Sequence, residues 1–196
     1  MRTGALLSGE HPDLPFAELR ALADTGGVKG VERVSDRFGV LDGSIGCERP
    51  ALTHMLFSIQ HSGPLDAVDI MVEDGSYGVR CHRADGTDPS SVEERVGAAI
   101  GGRDTVVDLD SPERWYDCVL IDDELYLGER HCTVDRGSFE RRRSHLRPFS
   151  SPVSLHPRLA RAMVNLARCR AGQRIADPFC GTGGILTEAG LIGIEP

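Results

Sequence analysis

The chain has 196 residues, 40% of them apolar and 27% charged, with a formal net charge of −8. That length suits one or two domains with cores of their own, and the composition excludes collagen-like and disordered classes. No run of about 18 apolar residues occurs, and Glu10 follows Leu6-Leu7 too soon for a signal core, so a cytoplasmic protein without a membrane span is expected.

Charge is unevenly spread. Between Asp135 and Arg170 nine arginines face only Asp135 and Glu140, so this stretch is strongly basic within an acidic chain. Lys29 is the one lysine beside 21 arginines. Such a composition fits a high-salt cytoplasm and equally follows from GC-rich coding, so it decides nothing. Cys47, Cys81, Cys118, Cys132, Cys169 and Cys180 lie far apart with no C-x-x-C pair, which points to isolated reduced thiols. Cys81-His82 and His131-Cys132 are poor candidates for a four-ligand metal site, because adjacent strand residues point to opposite faces. No metal is expected.

Ala5-Leu6-Leu7 reads as a short strand, and Phe16, Leu19 and Leu22 mark a helix over 15–23, started by Asp13 and Pro15 and closed by Gly26-Gly27. Short extended pieces follow around 37–41, and 51–59 is an apolar run whose type the pattern leaves open. Residues 76–81 read as a strand, and 90–100 as a helix with Ser90 or Ser91 as N-cap and Glu93 or Glu94 in the capping-box position. Strand-like pieces cover 105–109, 115–121 and 124–133, the last two joined by a turn at Asp122-Asp123.

From Gly137 to Ser154 the chain is polar and arginine-rich, with Pro148 and Pro152, and reads as an extended linker. A helix over 156–170 starts at Pro157, carries Leu159, Met163, Leu166 and Ala167 on one face, and stops at Gly172. Arg174 to Asp177 reads as a short strand, and 185–191 as a second helix. Trp115 and Tyr116 are assigned to core packing, and His156 to a cap.

Asp177-Pro178-Phe179-Cys180-Gly181-Thr182-Gly183-Gly184 joins a strand-end carboxylate to a glycine turn that feeds a helix. This is the layout of a nucleotide-type cofactor site at the strand ends of an α/β sheet. Glycine lets the backbone take unusual φ values and approach a ligand closely. Taken alone, the glycines also fit a tight strand-to-helix turn with Asp177 as its cap. No G-x-x-x-x-G-K-[ST] occurs, which excludes a P-loop here.

The eight-residue string resembles motif I of N2-guanine tRNA methyltransferases, and residues 186–193 behind it and 156–167 ahead of it extend the likeness. Leu7-Ser8-Gly9-Glu10-His11-Pro12 with 14–18 resembles the opening of the archaeal THUMP-domain tRNA (guanine-10-N2) methyltransferases. Residues 136–142 with Arg147-Pro148-Phe149 are similar to their linker region, whereas residues 40–75 contribute little.

The resemblance implies an α+β architecture of N-terminal ferredoxin-like and THUMP domains that bind tRNA, followed by the start of an α/β Rossmann-like methyltransferase domain. The matching boundaries are 1–72, 73–138, an arginine-rich linker over 139–155, and 156–196. It implies further that Asp177, Gly181 and Gly183 line an S-adenosyl-L-methionine site with Phe179 and Thr182 close by. Arg147-Pro148-Phe149 and Ser154 would stand at its upstream edge. Arg141, Arg142, Arg143 and Arg147 would grip tRNA phosphates through planar guanidinium groups, while for Arg158 and Arg161 a solvated helix face stays open.

The family's catalytic Asp-Pro-Pro-Tyr motif, which holds the exocyclic amine of the flipped guanine, does not occur in these residues, and neither does the acidic residue for the cofactor ribose. No catalytic residue is therefore named, and the chain is expected to be an N-terminal fragment that stops after motif I. The expected activity is methyl transfer from S-adenosyl-L-methionine to N2 of a tRNA guanine at position 10, achieved by orienting the amine without a metal. The alternatives are a THUMP-bearing enzyme acting on ribosomal RNA or another guanine, and a non-catalytic tRNA-binding module.

Overall fold

The computed structural model describes residues 1–83, 89–148, 151 and 153–196; Phe149 and Pro152 lie outside the described residues. Strand β1 (Arg2–Leu7) is buried from Thr3 to Leu7 because it runs between two antiparallel neighbours, β3 (Phe38–Leu41) and β4 (Thr53–Pro64). β2 (Val31–Ser35) pairs with the far side of β3. Helix α1 (Leu14–Gly26) crosses one face and sets Phe16, Leu19, Leu22 and Ala23 against Ala5, Leu7, Leu41 and Leu56. Gly27 ends it at φ 74°, a conformation that costs a glycine little. The expected Asp13 side-chain cap is not formed. His11 Nδ1 accepts from the N–H groups of Asp13 and Leu14, both at 3.1 Å, and the Asp13 carboxylate holds Arg33 instead.

The apolar run at 51–59 resolves into β4, whose free edge pairs with β8 (Glu124–Thr133). With β5 (Val72–Arg83), β6 (Gly101–Val107) and β7 (Arg114–Ile121), this pairing completes one eight-stranded sheet of order β2-β3-β1-β4-β8-β7-β5-β6. Helix α2 (Pro89–Ile100) connects β5 to the parallel strand β6 and buries Val92, Val96 and Ile100 over Tyr77, Val79, Cys118 and Leu127. Its Glu93 reaches the sheet, where Oε1 accepts from Cys81 N at 2.9 Å. Asp122 and Asp123 sit at φ 48° and 68°, the double positive φ of a two-residue hairpin turn whose twist matches the flanking strands. A third cluster joins Phe38, Val40 and Phe57 to Val119 and Ile121. It needs a glycine at position 4, since a Cβ there would stand 2.5 Å from the Phe57 ring. The fold is mixed α/β.

Further expectations from the sequence are corrected by the structure. Cys47 and Cys132, read as free thiols, form a disulfide across 85 residues. They meet because Cys132 pairs opposite Leu56 and the loop after β3 folds back over the same apolar cluster. The supposed extended linker contains helix α3 (Arg136–Glu140) and a 3-10 turn at Ser144–Leu146. Asp135 caps α3 by accepting from Ser138 N at 3.1 Å, and Phe139 anchors it against Ala51, Leu52, Val134 and Ala162.

Helix α4 (Pro157–Leu166) turns the other way from its expected apolar stripe, burying Ala160, Ala162, Val164, Arg161 and Asn165 while Leu159 and Met163 stay 37% and 48% exposed. Small residues let α4 approach α1 and α5 (Gly184–Gly190), and the polar pair finds partners across those contacts, Asn165 on Glu18 and Arg161 on Glu188. The strand read at 174–177 is reduced to a single parallel bridge between Arg174 and Glu195. No helix among the described residues is long and apolar enough to cross a membrane.

Candidate functional site

The Asp177–Gly184 turn is held by its own backbone. Asp177 Oδ1 accepts from Phe179 N at 3.0 Å, and Cys180 O accepts from Gly183 N at 2.7 Å. Gly181 and Gly183 lie at φ 50° and 70°, where an L side chain is strained, and Gly183 is the N-cap of α5. A Cβ on Gly183 or Gly184 would meet nothing within 4 Å, so the backbone here is open to a ligand.

Beside the turn lies a cavity of about 400 Å³, lined by Asp177, Phe179, Gly181, Thr182, Ser154 and Ile185 among others. Four of the five expected cofactor residues line it, and Gly183 stands next to it as the cap. Ser154 Oγ and Thr182 Oγ1 are 3.0 Å apart, which fastens the segment before α4 to the glycine turn. Phe179 is 93% exposed at the mouth. The chemistry offered is a carboxylate, three hydroxyls, bare glycine backbone and an apolar wall that includes Val153, Leu155 and Ile185. These three apolar residues carry no sequence signal, since nothing in the pattern ties 153–155 to 185.

The four arginines expected on RNA sit differently from one another. Arg141 is well exposed and pairs with Asp135 at 2.7 Å, and Arg143 is half exposed and pairs with Glu140 at 2.8 Å. Arg147 donates from Nε to the Arg142 carbonyl at 3.1 Å. Arg142 is committed inward, gripping both oxygens of the buried Glu188 at 2.9 and 3.1 Å and donating to Ser138 O. Arg161 meets the same carboxylate at 2.9 Å and is 4% exposed, so it is no surface decoration. A larger cavity of about 510 Å³ between the loop at 47–50, α3 and α4 has Arg49, Arg142 and Arg161 in its wall, already spent on Glu188 and on backbone carbonyls.

Tyr116 is buried in the sheet core, and Trp115 lies between Arg80 and Arg130, whose guanidinium carbons are 5.6 and 4.8 Å from its ring. Behind it Asp117 is fully buried; desolvation opposes its charge, yet Arg130 at 2.7 Å and His82 at 2.9 Å hold its carboxyl below the usual range. His156 caps α4, accepting from Arg158 N at 3.2 Å. No group of three or more His, Cys, Asp or Glu suited to a metal occurs among the described residues.

Residues 144–196 match the family model described as "UPF0020: RMKL-like, methyltransferase domain". The tRNA (guanine(10)-N2)-dimethyltransferase of Methanothermobacter thermautotrophicus is 38% identical over 211 aligned positions, covering 100% of this chain and 63% of the relative. That of Methanocaldococcus jannaschii is 31% identical, covering 98% and 65% respectively. Over its whole length the chain is similar to these archaeal proteins. It spans 63% and 65% of the length of these two relatives. In fold, it is similar to TrmN from Thermus thermophilus, with a TM-score of 0.57 at 22% identity over 96% of this chain and 61% of that one. It is also similar to SMU.472 complexed with SAH, with a TM-score of 0.52 at 14% identity over 98% and 55%.

Proposed function

We propose that this chain carries the RNA-recognition part and the cofactor turn of an S-adenosyl-L-methionine-dependent tRNA guanine-N2 methyltransferase acting at guanine 10. The observation that carries the reading is the Asp177–Gly184 turn beside its open cavity, inside the segment that resembles a methyltransferase domain. The names of the relatives supply the tRNA substrate and the position. Residues 1–72 would form the ferredoxin-like part, 73–138 the THUMP part, 139–155 the connection and 156–196 the start of the Rossmann-like part. The cytoplasm is the compartment that suits a tRNA-modifying enzyme.

The residues fit the cofactor. S-adenosyl-L-methionine supplies an activated methyl group when bound. Thr182 and Asp177 offer hydrogen bonds to its polar groups, the apolar wall accepts a purine face, and the glycine backbone permits close approach. This chain's part in the reaction is then to hold the donor and to orient the RNA. Arg141 and Arg143 are the linker arginines turned outward for phosphate, whereas Arg142 would have to leave Glu188 first.

The test is calorimetry with S-adenosyl-L-methionine and filter binding with tRNA on the same folded proteins. Wild type should bind both, Gly183→Val should lose the cofactor and keep tRNA, and Asp177→Ala should weaken the cofactor less. Unchanged cofactor affinity in Gly183→Val would make the turn purely structural.

A further inference from the structure

On the opposite side of α4's first turn, Arg136, Arg143, His156 and Arg158 surround a cavity of about 350 Å³ together with Glu10 and Glu140. The two carboxylates neutralise the cations only in part. Arg136 reaches Glu10 at 3.7 Å, beyond hydrogen-bond range, while Glu10 also pairs with Arg158. Glu140 is shared between Arg143 at 2.8 Å and His156 at 3.2 Å. Arg158 Nε is buried with no hydrogen-bond partner, and burial lowers the guanidinium from its usual value.

Positive potential spreads beyond the cavity. Arg37 Nε is another buried donor without a partner and would lie 3.3 Å from a Cβ on Gly9, the residue before Glu10. His54 is pushed down to about 4, first by burial and then by the charges of Arg136, Arg37 and His82.

We infer that Arg136, Arg143 and Arg158 form a site for backbone phosphates of the bound RNA, and that Glu10 and Glu140 occupy it as internal competitors until RNA displaces them. The inference rests on the RNA-binding reading above and deepens it. Guanidinium forks prefer the planar, bidentate geometry that a phosphate offers, and the loose contact at Arg136 leaves its fork available. Arg136 and Arg143 are about half exposed at the rim, as an extended polyanion requires. Three elements contribute: the loop after β1 through Glu10, the stretch from α3 to Arg143, and the first turn of α4.

Competition gives the test a sign that a merely structural role would not produce. Anisotropy titrations of labelled tRNA against the chain would be run over a series of salt concentrations, with the fold checked by circular dichroism. Arg136→Gln and Arg143→Gln should each weaken binding about 3- to 10-fold and lower the salt slope by roughly one. Glu10→Gln should tighten binding, because it frees two arginines for phosphate. Wild-type affinity and slope in both arginine variants, or weaker binding in Glu10→Gln, would overturn this site while leaving RNA binding itself intact. A wild-type chain that binds no tRNA would overturn the RNA reading and this site together. Equal weakening by inorganic phosphate at matched ionic strength would assign the site to small anions instead.

Discussion

Asn165 Nδ2 donates to Glu18 Oε1 at 2.7 Å, joining α4 to α1 across 147 positions of sequence. Glu18 is fully buried, and its oxygens also accept from Ala51 N at 3.0 Å and Leu52 N at 2.7 Å. Asn165→Ala should therefore leave a buried carboxyl short of a donor and cost about 1–3 kcal/mol in urea denaturation. A surface-like loss of a few tenths would mean that water replaces the amide.

The same carboxyl predicts a pH dependence. Burial pushes Glu18 above the usual glutamate range, although Asn165, Leu52, Ala51 and Arg161 all pull it down. A carboxyl raised by folding contributes most below its unfolded value and loses that contribution as pH rises through the folded one. Stability of Glu18→Gln relative to wild type should therefore improve as pH climbs above the ordinary glutamate value. A pH-independent difference between the two denaturation series would refute the raised value.

Glu188 is the shared counter-ion of Arg142 and Arg161, with no exposure of its own. Glu188→Ala should strand the nearly buried Arg161 and destabilise the chain by about 3–5 kcal/mol. Arg142→Ala should cost less, because its side chain is 26% exposed and Arg161 still neutralises the carboxylate. Equal losses in thermal melts would contradict the ranking.

The Cys47–Cys132 bridge closes a long loop, so reductant or Cys47→Ser should lower stability by about 2–5 kcal/mol. Reductant should have no further effect on Cys47→Ser. A melt of wild type that ignores reductant would show that the apolar cluster alone holds the loop.

Gly183 and Gly184 are adjacent, and both have open space where a Cβ would go. Only Gly183 has a positive φ. Gly183→Ala should cost about 1–2 kcal/mol from backbone strain, whereas Gly184→Ala, at the first helical residue, should be neutral or slightly stabilising. Equal effects in chemical denaturation would mean that the turn relaxes to negative φ.

Local chemistry was legible wherever one segment sufficed to define it. The stripe Phe16, Leu19 and Leu22, the turn at Asp122-Asp123, the strand at Glu124–Thr133 and the glycine turn at 181–184 each follow from spacing or from φ requirements that neighbouring residues impose. Four of the five residues singled out around the glycine turn meet at one cavity because they lie close together in sequence within a tight bend, and a bend keeps its members together in any fold.

Tertiary structure decided what depends on partners far away in sequence. The spacing of Leu159 and Met163 marks an apolar stripe, but α4 buries Arg161 and Asn165 instead, because Glu18 and Glu188 wait on α1 and α5 with the matching charge and hydrogen bonds. Arg141, Arg142 and Arg143 are indistinguishable as a run, yet one faces a buried carboxylate and two face solvent, since successive residues leave a helix end in different directions. Cys47 and Cys132 carry no motif, and they meet only once β4 has paired with β8. Periodicity reports which residues share a face; it cannot report what the rest of the chain brings to that face.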